Sequence, residues 1–275
     1  MKNILVTGGA GFIASNLIKS LCKLKSTKKI YSLGNYSSGS KENHLKNKKI
    51  IYIKGSTLNI NKISKLKNIN FDTVFHFAEF SRIVPSFKYF NECWDTNVIG
   101  TKEVLSFCIK NKSKIIYSAS SSTFGSNKYL SPYSWTKYTN NELIKNYSKW
   151  YGLKYVLVYF FNVYGNNQIS NGKMAAVIGI FMEQYLKGKY LTVVKPGTQK
   201  RDFTHVDDII SGTLLAAKKN NSEFQIGSGK NYSVLKIAKT FNHPIKLVAE
   251  RPGERFISLS NLNKSAKIPR HSWNP

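Results

Sequence analysis

Two kinds of apolar run alternate along the first 160 residues. Short β-branched stretches, "NILVT", "KIYSL", "IIYIKG", "TVFHFA", "KIIYSAS" and "KYVLVYF", are separated by segments of helical period: Phe12 to about Leu24, about Asn91 to Asn111, and Tyr133 to about Trp150. The strands lack the polar alternation of a sheet with one wet face. Such runs, alternating with helices, form a parallel sheet covered on both sides. The pattern therefore predicts a doubly wound α/β domain over residues 1–160. After "YFFNVYG" the rhythm loosens into an apolar helix in "KMAAVIGIFMEQYLKG", a strand "YLTVV", a turn at Pro196-Gly197, a helix near 207–219 and the segment "EFQIGSGKNYSVLKIAKTF". A smaller α/β substrate lobe over 161–275 is expected, with about 203–220 returning to the first domain.

Composition narrows the classes. A chain of 275 residues can bury one large core with a side lobe. Forty-two basic against fourteen acidic residues give a net charge of +28, a field that draws in phosphate-bearing partners. Most of the excess is lysine scattered in "CKLKSTKK", "HLKNKK" and "KISKLKN", a pattern that does not single out nucleic acid as the partner. Cys22, Cys93 and Cys108 are too widely spaced for a zinc knuckle or a redox pair, so no metal site is expected. The apolar runs are too short for a signal-peptide core or a bilayer span, which points to a cytoplasmic protein.

"ILVTGGAGFIASNLIKSL" is a strand, a glycine turn and a helix in the order a dinucleotide site needs. Gly8 allows the tight turn, Gly11 lets the backbone approach a pyrophosphate, and Ala14 permits close helix–strand packing. The phosphates then meet the unpaired amides and dipole of a helix N-terminus. Further on, "SPYSWTK" opens a helix and sets Tyr133 and Lys137 four apart on one face. An ammonium beside a phenol stabilises tyrosinate and brings a group of ordinary pKa about 10 toward working range. Just upstream, "YSASSSTFG" delivers hydroxyls to the edge of the sheet where α/β folds bind ligands.

In their joint order, "TGGAGFIAS", "VFHFA", "NVIGTKEVL", "SASSSTFG", "SPYSWTK", "YFFNVYG", "RDFTHVDD" and "RPGERFISLSNLNKS" resemble the extended short-chain dehydrogenase/reductase family, in particular its nucleotide-sugar epimerase branch. The resemblance implies a Rossmann-type domain holding NAD, with NADP left open by a departure from the pattern, and a nucleoside-diphosphate sugar in the C-terminal lobe. It implies Tyr133 as the acid/base at the sugar 4-hydroxyl, Lys137 on the nicotinamide ribose and Ser120 on the reacting oxygen. Around the cofactor it implies Gly8, Gly11, Phe12, Ile13, Asn35, Ser56, Thr57, Phe77, Ala78 and Asn97, together with Tyr133 and Lys137. Around the sugar nucleotide it implies Ser120, Ser121, Asn162, Arg201 and Arg251 on the phosphates, Glu254 near the nucleotide ribose, and Ser258 at a position whose small side chain suits an N-acetylhexosamine. Dehydratases of this family place Asp-Glu directly after the catalytic hydroxyl residue; here those places hold Ser121 and Ser122. Carbon-4 epimerisation is thus the expected reaction, with a keto-sugar reductase, a heptose-type 6-epimerase or a non-catalytic binding relative as the alternatives. The family's dimers pack two helices per subunit, which here would be about 91–111 and 135–150.

Two places depart from the pattern. Gly34 stands where a carboxylate usually meets the adenosine ribose, and Ser56 replaces a second aspartate near the adenine. The expectation is a cofactor gripped by its pyrophosphate and nicotinamide half and held less firmly at the adenosine end.

Overall fold

The computed structural model describes residues 2–261, so the last fourteen residues of the expected lobe lie outside the described residues. The chain opens with β1 (Asn3–Thr7), α1 (Phe12–Lys23), β2 (Lys29–Gly34), β3 (Ile50–Lys54) and β4 (Thr73–His76). It continues through the short α2 (Ile83–Lys88) and α3 (Phe90–Trp94), then α4 (Gly100–Asn111), β5 (Lys114–Ser120), α5 (Pro132–Tyr151), β6 (Tyr155–Phe160) and β7 (Asn162–Tyr164). The remainder comprises α6 (Val177–Leu186), β8 (Leu191–Val194), β9 (Lys200–Arg201), β10 (Phe203–His205), α7 (Val206–Ala216), β11 (Ser222–Ile226), β12 (Tyr232–Ser233), α8 (Val234–Lys239) and β13 (Ile245–Val248).

Seven strands form one parallel sheet in the order β11-β6-β5-β4-β1-β2-β3. Its central strands are buried almost throughout, which is why they read as continuous apolar runs. One core layer lies under α1 and α7 around Leu17, Ile18, Leu21, Ile209 and Ile210, and the other lies under α4 and α5 around Val104, Leu105, Phe107 and Ile144. The chain's return to this sheet reaches Ile226, because β11 pairs with β6 after α7 has covered the face. The expected helix at 91–111 is one rod of three parts: α3, a wide turn over Asp95–Ile99, and α4. The helix expected from Lys173 begins only at Val177, after an extended Ala176. The smaller lobe is built from three two-stranded pairs, β7 with β10, β9 with β12 and β8 with β13, over a core that includes Phe181, Leu191 and Ile237. No helix among the described residues is long and apolar enough to cross a membrane.

The strand order reverses between β1 and β4, and ligand crevices of α/β sheets open at such a point. A buried histidine fixes that junction. Thr7 Oγ1 accepts from the amides of Phe77 (3.1 Å) and Ala78 (3.2 Å), so its own proton goes to His76 Nδ1 at 2.8 Å. His76 Nε2 then donates to Thr101 Oγ1 at 3.0 Å, which makes the ring neutral. Burial lowers the His76 pKa to about 4, against the field of Glu79 and assisted by that of Lys137. An unfolded histidine titrates near 6.5. Between those values the unfolded chain takes up a proton that the native ring refuses, so this contribution is complete above about pH 6.5 and is lost as the pH falls toward 4, to the extent of about 3 kcal/mol. Urea unfolding across that range should lose stability with a slope that flattens in His76→Gln; equal slopes for the two proteins would contradict this assignment.

Candidate active site

A cavity of about 660 Å³ opens at the C-terminal ends of β1, β4, β5 and β6 and runs under the smaller lobe. Every site residue expected from the sequence lines it except Asn97 and Ser258. Asn97 is fully buried and clamps the chain instead: its Oδ1 accepts from Phe80 N at 2.8 Å and its Nδ2 donates to Phe80 O and Thr136 Oγ1. Ser258 is also buried, its backbone N–H donating to Lys200 O at 3.0 Å. Ser258 thus stands outside the lining of this cavity, and the N-acetylhexosamine expectation gains no support from its position.

At the glycine loop, a Cβ on Gly8 would meet Ala78 Cα at 2.9 Å, and Gly8 has a φ of +73°. Both facts require glycine. Helix α1 starts behind Gly11, which offers no side-chain oxygen, so the first-turn amides stay available to an anion. These features fit the pyrophosphate of a dinucleotide. Gly34 differs, because a Cβ there meets nothing within 4 Å and the backbone does not demand glycine.

The end of the cavity beside β5 is set by α5. Ser131 caps it, its Oγ accepting from Ser134 N at 3.1 Å, and Pro132 supplies the first turn. This places Tyr133 and Lys137, both buried, against the end of β5. Tyr133 is steadied through its amide, which donates to Ser86 Oγ at 3.2 Å. Ser120 ends β5, with its Oγ 2.9 Å from Ser122 Oγ. Lys137 Nζ donates to Ser118 O at 2.5 Å and pairs with Glu79, whose carboxylate also accepts from Tyr117 OH (2.6 Å) and Ser118 Oγ (3.0 Å).

Four arginines also line the cavity. Arg201 pairs with Glu254, and Arg251 Nε lies 3.9 Å from the same carboxylate. Arg255 is buried, donates to Ser121 Oγ at 3.4 Å, and has its pKa lowered to about 10 by burial and then by the charge of Arg201. Arg82 donates to Met174 O at 2.8 Å, and burial lowers its pKa as well. Neither of these two has a carboxylate within salt-bridge distance among the described residues. Asn162 Oδ1 is buried and unpartnered. Glu79, Arg82 and Arg255 were not among the residues expected from the sequence. Glu79 could have been flagged, since "FHFAE" puts a carboxylate at the exit of a central strand; the two arginines stand out as members of a set of only five in the chain, a signal that marks them without placing them.

Residues 4–230 match the NAD dependent epimerase/dehydratase family. The chain belongs to that family. A putative UDP-glucose 4-epimerase of Methanocaldococcus jannaschii is 30% identical, over 99% of this chain and 93% of the relative. A UDP-N-acetyl-alpha-D-glucosaminuronate decarboxylase of Bacillus cytotoxicus is also 30% identical, over 86% of this chain and 78% of the relative. The crystal structure of UDP-glucuronic acid 4-epimerase from Bacillus cereus with UDP-glucuronic acid and NAD superposes with a TM-score of 0.87 at 28% identity, covering 96% of this chain and 91% of that one. The epimerase/dehydratase family is a family of NAD-dependent enzymes, and the glycine loop described above suits that cofactor.

The open space at Gly34 predicts that Gly34→Asp is accommodated and adds a charge-assisted hydrogen bond to the adenosine ribose, of the order of 1.5–3 kcal/mol. Calorimetric titration should show NAD binding at least about tenfold tighter, since 1.4 kcal/mol is one decade. Unchanged NAD affinity would contradict the placement of Gly34 beside the ribose.

Proposed function

We propose that the protein epimerises a nucleoside-diphosphate sugar at carbon 4 through a transient 4-keto sugar. The observation that carries this reading concerns the carboxylates. Three line the cavity among the described residues, and each is held by a cation: Glu79 by Lys137, Glu92 by Lys173 at 2.6 Å, and Glu254 by Arg201. Elimination of water across carbons 5 and 6 needs a free carboxyl pair beside the reacting sugar. Inversion at carbon 4 needs one group that takes a proton and returns it, and Tyr133 is that group.

In this reading Tyr133 accepts the proton of the sugar 4-hydroxyl while Ser120 Oγ hydrogen-bonds the same oxygen. Bound NAD supplies the two-electron acceptor and donor at that carbon. Lys137 holds the nicotinamide ribose with the donor that Glu79 and Ser118 leave free. The planar guanidinium forks of Arg201 and Arg251 take the diphosphate oxygens, in exchange for part of their contact with Glu254. Asn162 gains a partner for its orphaned oxygen from the sugar nucleotide. The keto sugar turns over inside the cavity, and Tyr133 returns the proton to the opposite configuration. A second copy of the chain packing on α4 and α5 belongs to the same proposal.

UDP-sugars are the first panel to try, because the relatives are named for them. Tyr133→Phe should lower turnover by about 10²–10⁴-fold, with NAD affinity and melting temperature close to wild type. The panel is followed by proton NMR of the anomeric and H4 signals. Undiminished turnover in Tyr133→Phe would sink the mechanism, and carbon dioxide release or a 4-keto-6-deoxy product from the wild type would sink the reaction.

A further inference from the structure

The pair between Lys137 and Glu79 is unlike the other two in the cavity, because both side chains are shut away from water at 4% and 2% exposure. The carboxylate is met by hydroxyls from two residues of β5, Tyr117 OH at 2.6 Å and Ser118 Oγ at 3.0 Å, and approached by Asn140 Nδ2 at 3.4 Å. The ammonium is fixed from two sides, by Glu79 and by Ser118 O, with the Tyr117 ring 4.7 Å away. Glu79 itself cannot drift. Its neighbour Phe80 is clamped through both backbone polar groups by Asn97.

Through the ion pair Glu79 offsets much of the field that Lys137 projects toward its surroundings. That matters because Tyr133 already has other cations around it. Arg82 comes from the segment before α2 and Arg255 from the segment after β13, both within electrostatic reach of its phenol. The remaining titratable groups packed about Tyr133 and Glu79 are Tyr117 on β5, His76 on β4 and Cys93 on α3. Burial, ahead of any neighbouring charge, drives all three toward their neutral forms. Glu79 is thus the anion set against Lys137 next to Tyr133, while Glu254, the other carboxylate in reach of Arg255, is taken up by Arg201. A group that must both take a proton and give it back works best when neither form is strongly preferred.

We propose that Glu79 is a positioning residue for the reaction: it fixes the Lys137 ammonium before any ligand arrives and offsets its charge, so that Tyr133 can return the proton it has taken. The proposal rests on Tyr133 as the proton-transfer group.

The test reads the charge directly. Tyrosinate absorbance is titrated on the NAD-saturated protein, and the contribution of Tyr133 is isolated by subtracting the same titration of Tyr133→Phe. In Glu79→Gln, against its own Tyr133→Phe control, the midpoint should fall by about one pH unit, and the acidic limb of the kcat/KM profile should move the same way. An unchanged or raised midpoint overturns the proposal. If circular dichroism shows Glu79→Gln unfolded, the double variant Glu79→Gln/Lys137→Met replaces it. Removing both charges should leave the midpoint close to wild type, and a rise of a full unit overturns the proposal, since it would mean that Lys137 had acted uncompensated. Because the titration needs no turnover, a failure of the proposed reaction, seen in the sugar panel, stays separate from a failure of Glu79.

Discussion

One continuous line of buried hydrogen bonds joins the glycine loop to Lys137 at the end of β5. It runs from Thr7 to His76, from His76 to Thr101, from Asn140 to Thr101 and to Tyr117, and from Tyr117 to Glu79, which holds Lys137. Members come from β1, β4, α4, α5 and β5, so the line stitches the sheet to the two helices on one face. Buried polar groups are costly unless satisfied, and a satisfied network specifies a single arrangement. Breaking such a line at a charged member leaves the partner stranded, at a cost of about 3–5 kcal/mol. The line thus begins at Thr7, which holds the turn at Phe77 and Ala78, and ends at Glu79, which with Ser118 O fixes the Lys137 ammonium.

The cavity depends on this line at one end and on the smaller lobe at the other. Asp202 is the lobe's counterpart of His76. Fully buried between β9 and β10, its carboxylate accepts from the amides of Ser228, Gly229 and Ser260 and from the hydroxyls of Ser228 and Ser260. That anchors the segment bearing Arg251, Glu254 and Arg255 beside Arg201. The net charge of +28 is spread over the chain, but each carboxylate of the cavity is paired with a cation, Arg251 shares Glu254 with Arg201, and Arg82 and Arg255 have no carboxylate within salt-bridge distance among the described residues. A bound diphosphate would meet that excess.

Much of this was legible in the residues. The strands of the sheet read out because they are buried on both faces, and α5 because Ser131-Pro132 starts it and Gly152 ends it in the left-handed region. The turn at Gly8 and the spacing of Tyr133 and Lys137 on one helical face were visible in the residues, while the roles proposed for the tyrosine and the lysine came from the joint order of the motifs. Other features were hidden for physical reasons. Asn97 resembled a cofactor contact in sequence, yet helical phase turns it inward onto Phe80. Ser258 was placed by alignment of a motif, whereas its orientation is decided by the bridge from its neighbour Ile257 to Lys200. Glu79 escaped notice because its partners, Tyr117, Ser118 and Lys137, are distant in sequence and meet only when β4, β5 and α5 are packed.

The central claim is that the sugar is oxidised and re-reduced at the same carbon inside this cavity, with Tyr133 moving the only proton. Its most direct measurement uses UDP-glucose and UDP-glucuronic acid carrying deuterium at carbon 4, incubated in ordinary water and followed by NMR and mass spectrometry. The account predicts a 4-epimer that keeps its deuterium at carbon 4. Loss of that deuterium to solvent, or a product inverted or cleaved at another carbon, would contradict it.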